Sequence, residues 1–133
     1  MEQTTLPIQE RIKTYEDACA ALNRQPLTEE QFSFLPEKDR KAMFSLHKIT
    51  TVIEAFNEGH EFDWNDYDEY KYHPWFDMET YGDAPAGSGF SFHDYDYDLT
   101  ASSVGARLVL RTRELAEYVG NQFLEDYRNW FKK

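Results

Sequence analysis

The sequence holds a single cysteine, Cys19, in 133 residues. One thiol excludes an internal disulfide and fits a reducing compartment. No apolar run approaches the roughly 18 residues that a membrane span needs. The first residues, MEQTTLPIQERIK, contain no apolar segment of the signal-peptide kind. Base is scarce as well: 14 Lys and Arg stand against 25 Asp and Glu, a formal net charge of −11. That balance argues against direct binding to a nucleic-acid backbone, which requires a basic patch. It permits a cationic partner. No serine sits in a GxSxG context, the loop GDAPAGSGF lacks the lysine of a P-loop, and no two histidines have HxxxH spacing. The expectation is a soluble cytoplasmic protein that needs no cofactor, is not an enzyme and does not bind a membrane.

The charge that is present is unevenly spread. Residues 60–99 carry eleven carboxylates and one base, Lys71, so this stretch accounts for ten of the eleven net negative charges. It also holds twelve of the 22 aromatic residues. The rest of the chain is close to neutral. Function is therefore expected in the acidic, aromatic middle. Aromatics bury large areas each, so the 17% aromatic content compensates for a modest apolar fraction. One domain over 1–133 is expected, with 1–7 as a loose N-terminal arm ending at Pro7.

Local patterns predict the elements. Thr14 with Asp17, and Thr28 with Gln31, read as capping boxes that open helices. From Pro36 to Asn57 a broad apolar stripe (Phe44, Leu46, Ile49, Val52, Ile53, Phe56) predicts the main helix, stopped by Gly59. Tyr72, Phe76 and Met78 then alternate with polar residues, a strand signal, and Pro74 inside it points to an edge or a bulge. Residues 83–89 form a turn-rich loop. In the second strand the aromatics Phe90 and Phe92 fall on even numbers, but Tyr95 and Tyr97 on odd ones. That switch predicts a bulge near His93. Arg107–Arg111 reads as a third strand. Thr112 caps a long last helix in which Leu115, Val119, Phe123, Tyr127 and Phe131 recur every fourth residue. The expected fold is α+β: N-terminal helices, a three-stranded antiparallel meander, and a long C-terminal helix packed on one face.

The block EYKYHPWFDM, the turn GSGFSF, the loop SSVGARLVL and the closing RTRELAEYVGNQFLEDY resemble an uncharacterised family of Bacteroidetes genomes, their mobile elements and phages. The likeness covers roughly residues 45–131. It implies a context, a phage or mobile-element accessory protein acting in a host cytoplasm. It carries over no activity and no catalytic residue.

Several residue groups are candidates for function. Asp63–Asp68 begins like an EF-hand loop, but Asp68 stands where the loop glycine belongs and Pro74 where the closing Glu belongs, so that reading fails. Asp94, Asp96 and Asp98 lie on one side of a strand and repel unless a cation is present, so a solvated acidic face is the simpler expectation. His60, His73 and His93 sit among carboxylates, while His47 is on the main helix. The aromatics outnumber what one buried face needs, and exposed Tyr and Trp are favoured anchors of binding sites. The leading expectation is a surface built from Trp64, Tyr67, Tyr70, Trp75, Asp94, Tyr95, Asp96, Tyr97 and Asp98 that binds a host protein with a basic surface. An anti-defence inhibitor or a mimic of DNA charge is one form of it. The alternative is a small-ligand or nucleotide-binding protein in which aromatics stack a base and Arg107, Arg111 and Arg113 hold a phosphate. A third reading is a virion or assembly component, a homo-oligomer joined through Trp130 and Phe131. No metal site is expected.

Overall fold

The computed structural model describes residues 6–78 and 90–132; the loop expected at 83–89 lies outside them. The fold is α+β. Helix α1 spans Ile8–Arg11, α2 Tyr15–Ala21, α3 Glu37–Asn57, α4 Arg113–Gln122 and α5 Leu124–Phe131; strands β1 and β2 span Lys71–Asp77 and Ser91–Asp98. Short 3₁₀ turns occupy Glu29–Phe32 and Ala106–Leu108.

The caps act where their sequences predict. Thr14 Oγ1 accepts the Asp17 N–H at 3.0 Å, and Gln31 Oε1 accepts the Thr28 N–H at 2.8 Å. Helix α3 is the centre of the core, with Ile49, Val52, Ile53 and Phe56 fully buried along one stripe. It ends in a left-handed turn shared by Glu58 (φ 48°) and Gly59 (φ 81°). Helices α2 and α5 pack on α3, and α4 packs on both strands. Cys19 is buried.

The two strands pair antiparallel, with Trp75 opposite Asp94 and Phe76 opposite Phe92. His93 is thus the extra residue of a bulge, as the parity switch predicts. Its effect is to keep Phe92, Tyr95 and Tyr97 on one face together with Tyr72, Pro74 and Phe76. That face lies on α4. There Gly120 leaves room for the Pro74 ring and the Phe92 ring, each of which would come within 2.7 Å of a Cβ at that position.

Two expectations are corrected. First, among the described residues the sheet has two strands, not three. Of residues 107–111 only Leu110 joins the ladder, and it bridges to Tyr72 of β1, so this segment lies beside the first strand instead of following the second. The extended part is short, because the 3₁₀ turn at Ala106–Leu108 precedes it and the Thr112 cap of α4 follows, and its edge away from β1 is held by Asn57 at the end of α3. Its Nδ2 donates to Val109 O at 2.9 Å, and its Oδ1 accepts the Arg111 N–H at 3.0 Å. A side-chain amide thus satisfies the backbone groups that a further strand would have paired. Second, the last helix is broken at Phe123 (φ −110°, ψ 31°) into α4 and α5. Residues four apart advance about 40° beyond a full turn at 3.6 residues per turn, so the stripe from Leu115 to Phe131 drifts by about 160° on one straight helix. The break resets the phase, and Phe123 and Tyr127 both stay buried.

Candidate functional site

The sequence of the acidic middle falls into three structural parts. The first is residues 60–70, which wrap around Lys71. This lone base is completely buried. Its Nζ donates to Leu99 O at 2.6 Å and Glu69 O at 2.9 Å, lies 3.5 Å from Asp66 O, and stands 5.0 Å from the centre of the Trp64 ring. Glu69 completes the cage: Oε1 is 3.6 Å from Lys71 Nζ and accepts the Asp63 N–H, while Oε2 meets His60 Nε2 at 2.8 Å. Burial alone would raise the Glu69 carboxyl, but the Asp63 N–H, His60 and Lys71 together hold it below its ordinary value. Asp63 and Asp66 each accept a backbone N–H two residues on, so they shape turns.

The second part is the outward face of the β-ribbon. Alternation along the strands places Lys71, His73 and Trp75 of β1 opposite Asp98, Asp96 and Asp94 of β2 on this side. Asp94 and Asp96 are exposed; each accepts the N–H of the following tyrosine at 2.8 Å. Asp98 is drawn in by Ser102 Oγ, which donates to it at 2.7 Å, and lies 3.7 Å from His73. Trp75 is 55% exposed and meets His93 edge-on at 4.8 Å. Among the described residues no group of three or more His, Cys, Asp or Glu is arranged to hold a metal ion.

The third part is on the opposite face. Tyr70, Tyr72, Tyr95 and Tyr97 line a cleft of about 370 Å³ that is closed by Arg111, Thr112, Arg113 and Glu114 at the start of α4. Tyr70 and Tyr97 stand 4.5 Å apart at the rim and are 42% and 45% exposed; Tyr72 and Tyr95, 5.6 Å apart, form the wall that continues into the core. The Arg111 guanidinium is committed elsewhere. It donates to Phe56 O at 3.1–3.2 Å and to Glu58 Oε2 at 2.6 Å, closing the C-terminus of α3. Arg113 is exposed, faces Tyr95 and pairs with Glu114 at 3.1 Å.

The predicted surface residues therefore do not share one face. Trp75, Asp94 and Asp96 look outward, whereas Tyr70, Tyr95 and Tyr97 look toward α4. Tyr67 is exposed on the wrapping loop, and Trp64 is half-buried over Lys71. The arginines separate too. Arg107 lies on a second cleft of about 720 Å³, with Trp64, His47, His60 and Arg24. Neither Arg111 nor Arg113 pairs with an acid of 60–98 among the described residues. Trp130 and Phe131 end α5 partly exposed, Phe131 resting edge-on against Phe76 and Phe90. Sequence reasoning missed Lys71 as a structural centre and Glu114 as part of a cleft. The only signal for the first was a lone base in an acidic run.

His47 on the second cleft carries a pH prediction. The Tyr15 hydroxyl accepts the Leu27 N–H at 2.9 Å, which leaves its proton for His47 Nε2 at 2.9 Å. Burial pushes the Tyr15 hydroxyl up to about 12, so it stays protonated. His47 is thereby held as a neutral acceptor, its pKa lowered by burial and by Arg24. A histidine lowered in the folded state binds its proton more readily when unfolded. Its contribution is complete above the ordinary value near 6.5 and is lost as pH falls below it. Melting temperature is expected to drop between pH 7.5 and 5.5 in the natural protein, and less in His47→Gln. Equal drops in the two proteins would remove His47 as the cause.

Among the described residues no helix is long and apolar enough to cross a membrane. No family model, no curated protein and no solved structure matches the chain.

Proposed function

We propose that this chain is a non-catalytic binding protein of phage or mobile-element origin that acts in the host cytoplasm. Its outward ribbon face meets a host protein with a basic surface. One observation carries this reading: Asp94 and Asp96 are open beside an exposed Trp75, and none of the arginines at 107, 111 and 113 pairs with them among the described residues. Carboxylates that had been neutralised internally would have nothing to offer a cation. Here they flank a large apolar anchor, the arrangement that interface centres favour. If the partner is a nucleic-acid-binding enzyme, the face acts as a mimic of nucleic-acid charge. The test is capture from host lysate on the immobilised chain, with Asp94→Asn/Asp96→Asn alongside. A basic protein held about tenfold more weakly by the double variant, and released by salt, is the expected result. Equal capture by both proteins would sink the reading.

A second reading is favoured by the cleft. A small-ligand binder needs aromatics and a guanidinium joined in a concave site, and Tyr70, Tyr72, Tyr95, Tyr97 and Arg113 line one cleft. This site is on the other side of the ribbon from Asp94 and Asp96, so the two readings are separable by mutation.

A further inference from the structure

We propose that the tyrosine–arginine cleft takes a ligand with one planar aromatic ring system and one anionic oxygen group, and that the Glu114 carboxylate holds the anion's place in the free protein. The inference rests on the small-ligand reading and names its ligand class.

The ring requirement comes from the rim. Tyr70 and Tyr97 keep more than two-fifths of their surface open while their rings stand 4.5 Å apart, in contact with the Tyr72 and Tyr95 wall. Four phenol rings in one concavity present π-faces and edges to which another ring packs. At about 370 Å³ the cleft is near the small end of ligand sites, enough for one ring system and a short polar group.

The single anion follows from the guanidinium count. Arg111 is spent on Phe56 O and Glu58, which leaves Arg113 as the cleft's available cation. A chain of net charge −11 opposes polyanions, so one acid group suits it better than several.

Glu114 marks where that group sits. Adjacent residues on a helix do not face each other, yet Glu114 Oε2 reaches Arg113 Nε at 3.1 Å at the start of α4. Both side chains line the cleft and meet there. They are 57% and 63% exposed, so the pair is weak and exchangeable. A ligand carboxylate or phosphate makes the same contacts and adds ring packing that Glu114 lacks.

The experiment is calorimetric titration of adenosine monophosphate, adenosine and inorganic phosphate into the natural chain, Glu114→Gln and Arg113→Ala, with melting temperatures to confirm folding. The expected result is that adenosine monophosphate binds, about twofold to fivefold more tightly in Glu114→Gln, as loss of a competing exposed charge predicts. In Arg113→Ala its advantage over adenosine disappears. Equal affinity in the natural chain and Glu114→Gln, with weakening in Arg113→Ala, overturns the role of Glu114 and leaves the cleft reading standing. Phosphate binding as tightly as the nucleotide overturns the ring requirement. No binding of any probe to any of the three proteins overturns the small-ligand reading itself.

Discussion

Lys71→Met is expected to lower stability by about 3 kcal/mol and to release the loop that wraps it. The methionine stem replaces the lysine stem in length, so packing is nearly kept and the loss isolates the ammonium. Lys71 supplies three protons to a cage formed by the Leu99, Glu69 and Asp66 carbonyls, with the Glu69 carboxylate behind them. Removing one partner of a buried charge pair costs about 3–5 kcal/mol, because the other is left without compensation. Glu69 keeps the Asp63 N–H and His60, which places the loss at the low end of that range. The loop from 60 to 70 has little else to hold it, since its remaining hydrogen bonds are short-range turns. Trp64 reports the release: it now stacks near the ammonium, and its emission should shift to the red in the variant. Lys71→Arg is not expected to rescue, because a planar fork does not fit carbonyls arranged around a point charge. A loss below about 1 kcal/mol, with unchanged Trp64 emission, would mean that the loop is held by something other than this ammonium.

That prediction concerns a residue whose place was not visible beforehand. A lone lysine among acids reads as a solvated counter-charge, and burial of lysine is uncommon. Only the meeting of three carbonyls from 66, 69 and 99 makes it a centre, and sequence does not state that meeting. The caps and helix α3 were legible for the opposite reason. Thr14, Thr28 and Thr112 act on residues three positions away, and the α3 stripe is a local period, so both signals lie within one short window. The bulge was legible as well, because it shifts the parity of aromatics within nine residues. The separation of acids from tyrosines was also present in the alternation of Asp94, Tyr95, Asp96, Tyr97 and Asp98. Period two assigns the two types to opposite faces, so the acids of β2 share their surface with Trp75 of β1 and not with Tyr95 and Tyr97. The third strand failed because the 3₁₀ turn at 106–108 and the helix cap at Thr112 leave few extended residues between them, and their edge away from β1 is held by a distant side chain, Asn57. A long-range contact of this kind leaves no local trace.

Gly120→Ala should destabilise the fold by about 2 kcal/mol, against the sign that helix propensity predicts. In an exposed helix interior, alanine in place of glycine gains about 1 kcal/mol. Here the new Cβ would lie 2.7 Å from Pro74 Cβ and 2.7 Å from Phe92 Cδ1. Neither neighbour yields easily. The Pro74 atom belongs to a closed ring in a strand paired with β2, and Phe92 is wedged edge-on against Phe76. Overpacking of this kind costs about 1–3 kcal/mol and sometimes more, and contact on both sides of one methyl group puts Gly120 at the upper end. The ribbon has one means of relief: to lift from α4. Lifting would widen the cleft between Tyr95 and Arg113, so the variant should also bind any cleft ligand more weakly. Urea unfolding monitored by circular dichroism gives the sign directly. A midpoint above that of the natural chain would show that the ribbon is free to shift on α4, and would remove the rigid seat on which the tyrosine cleft depends.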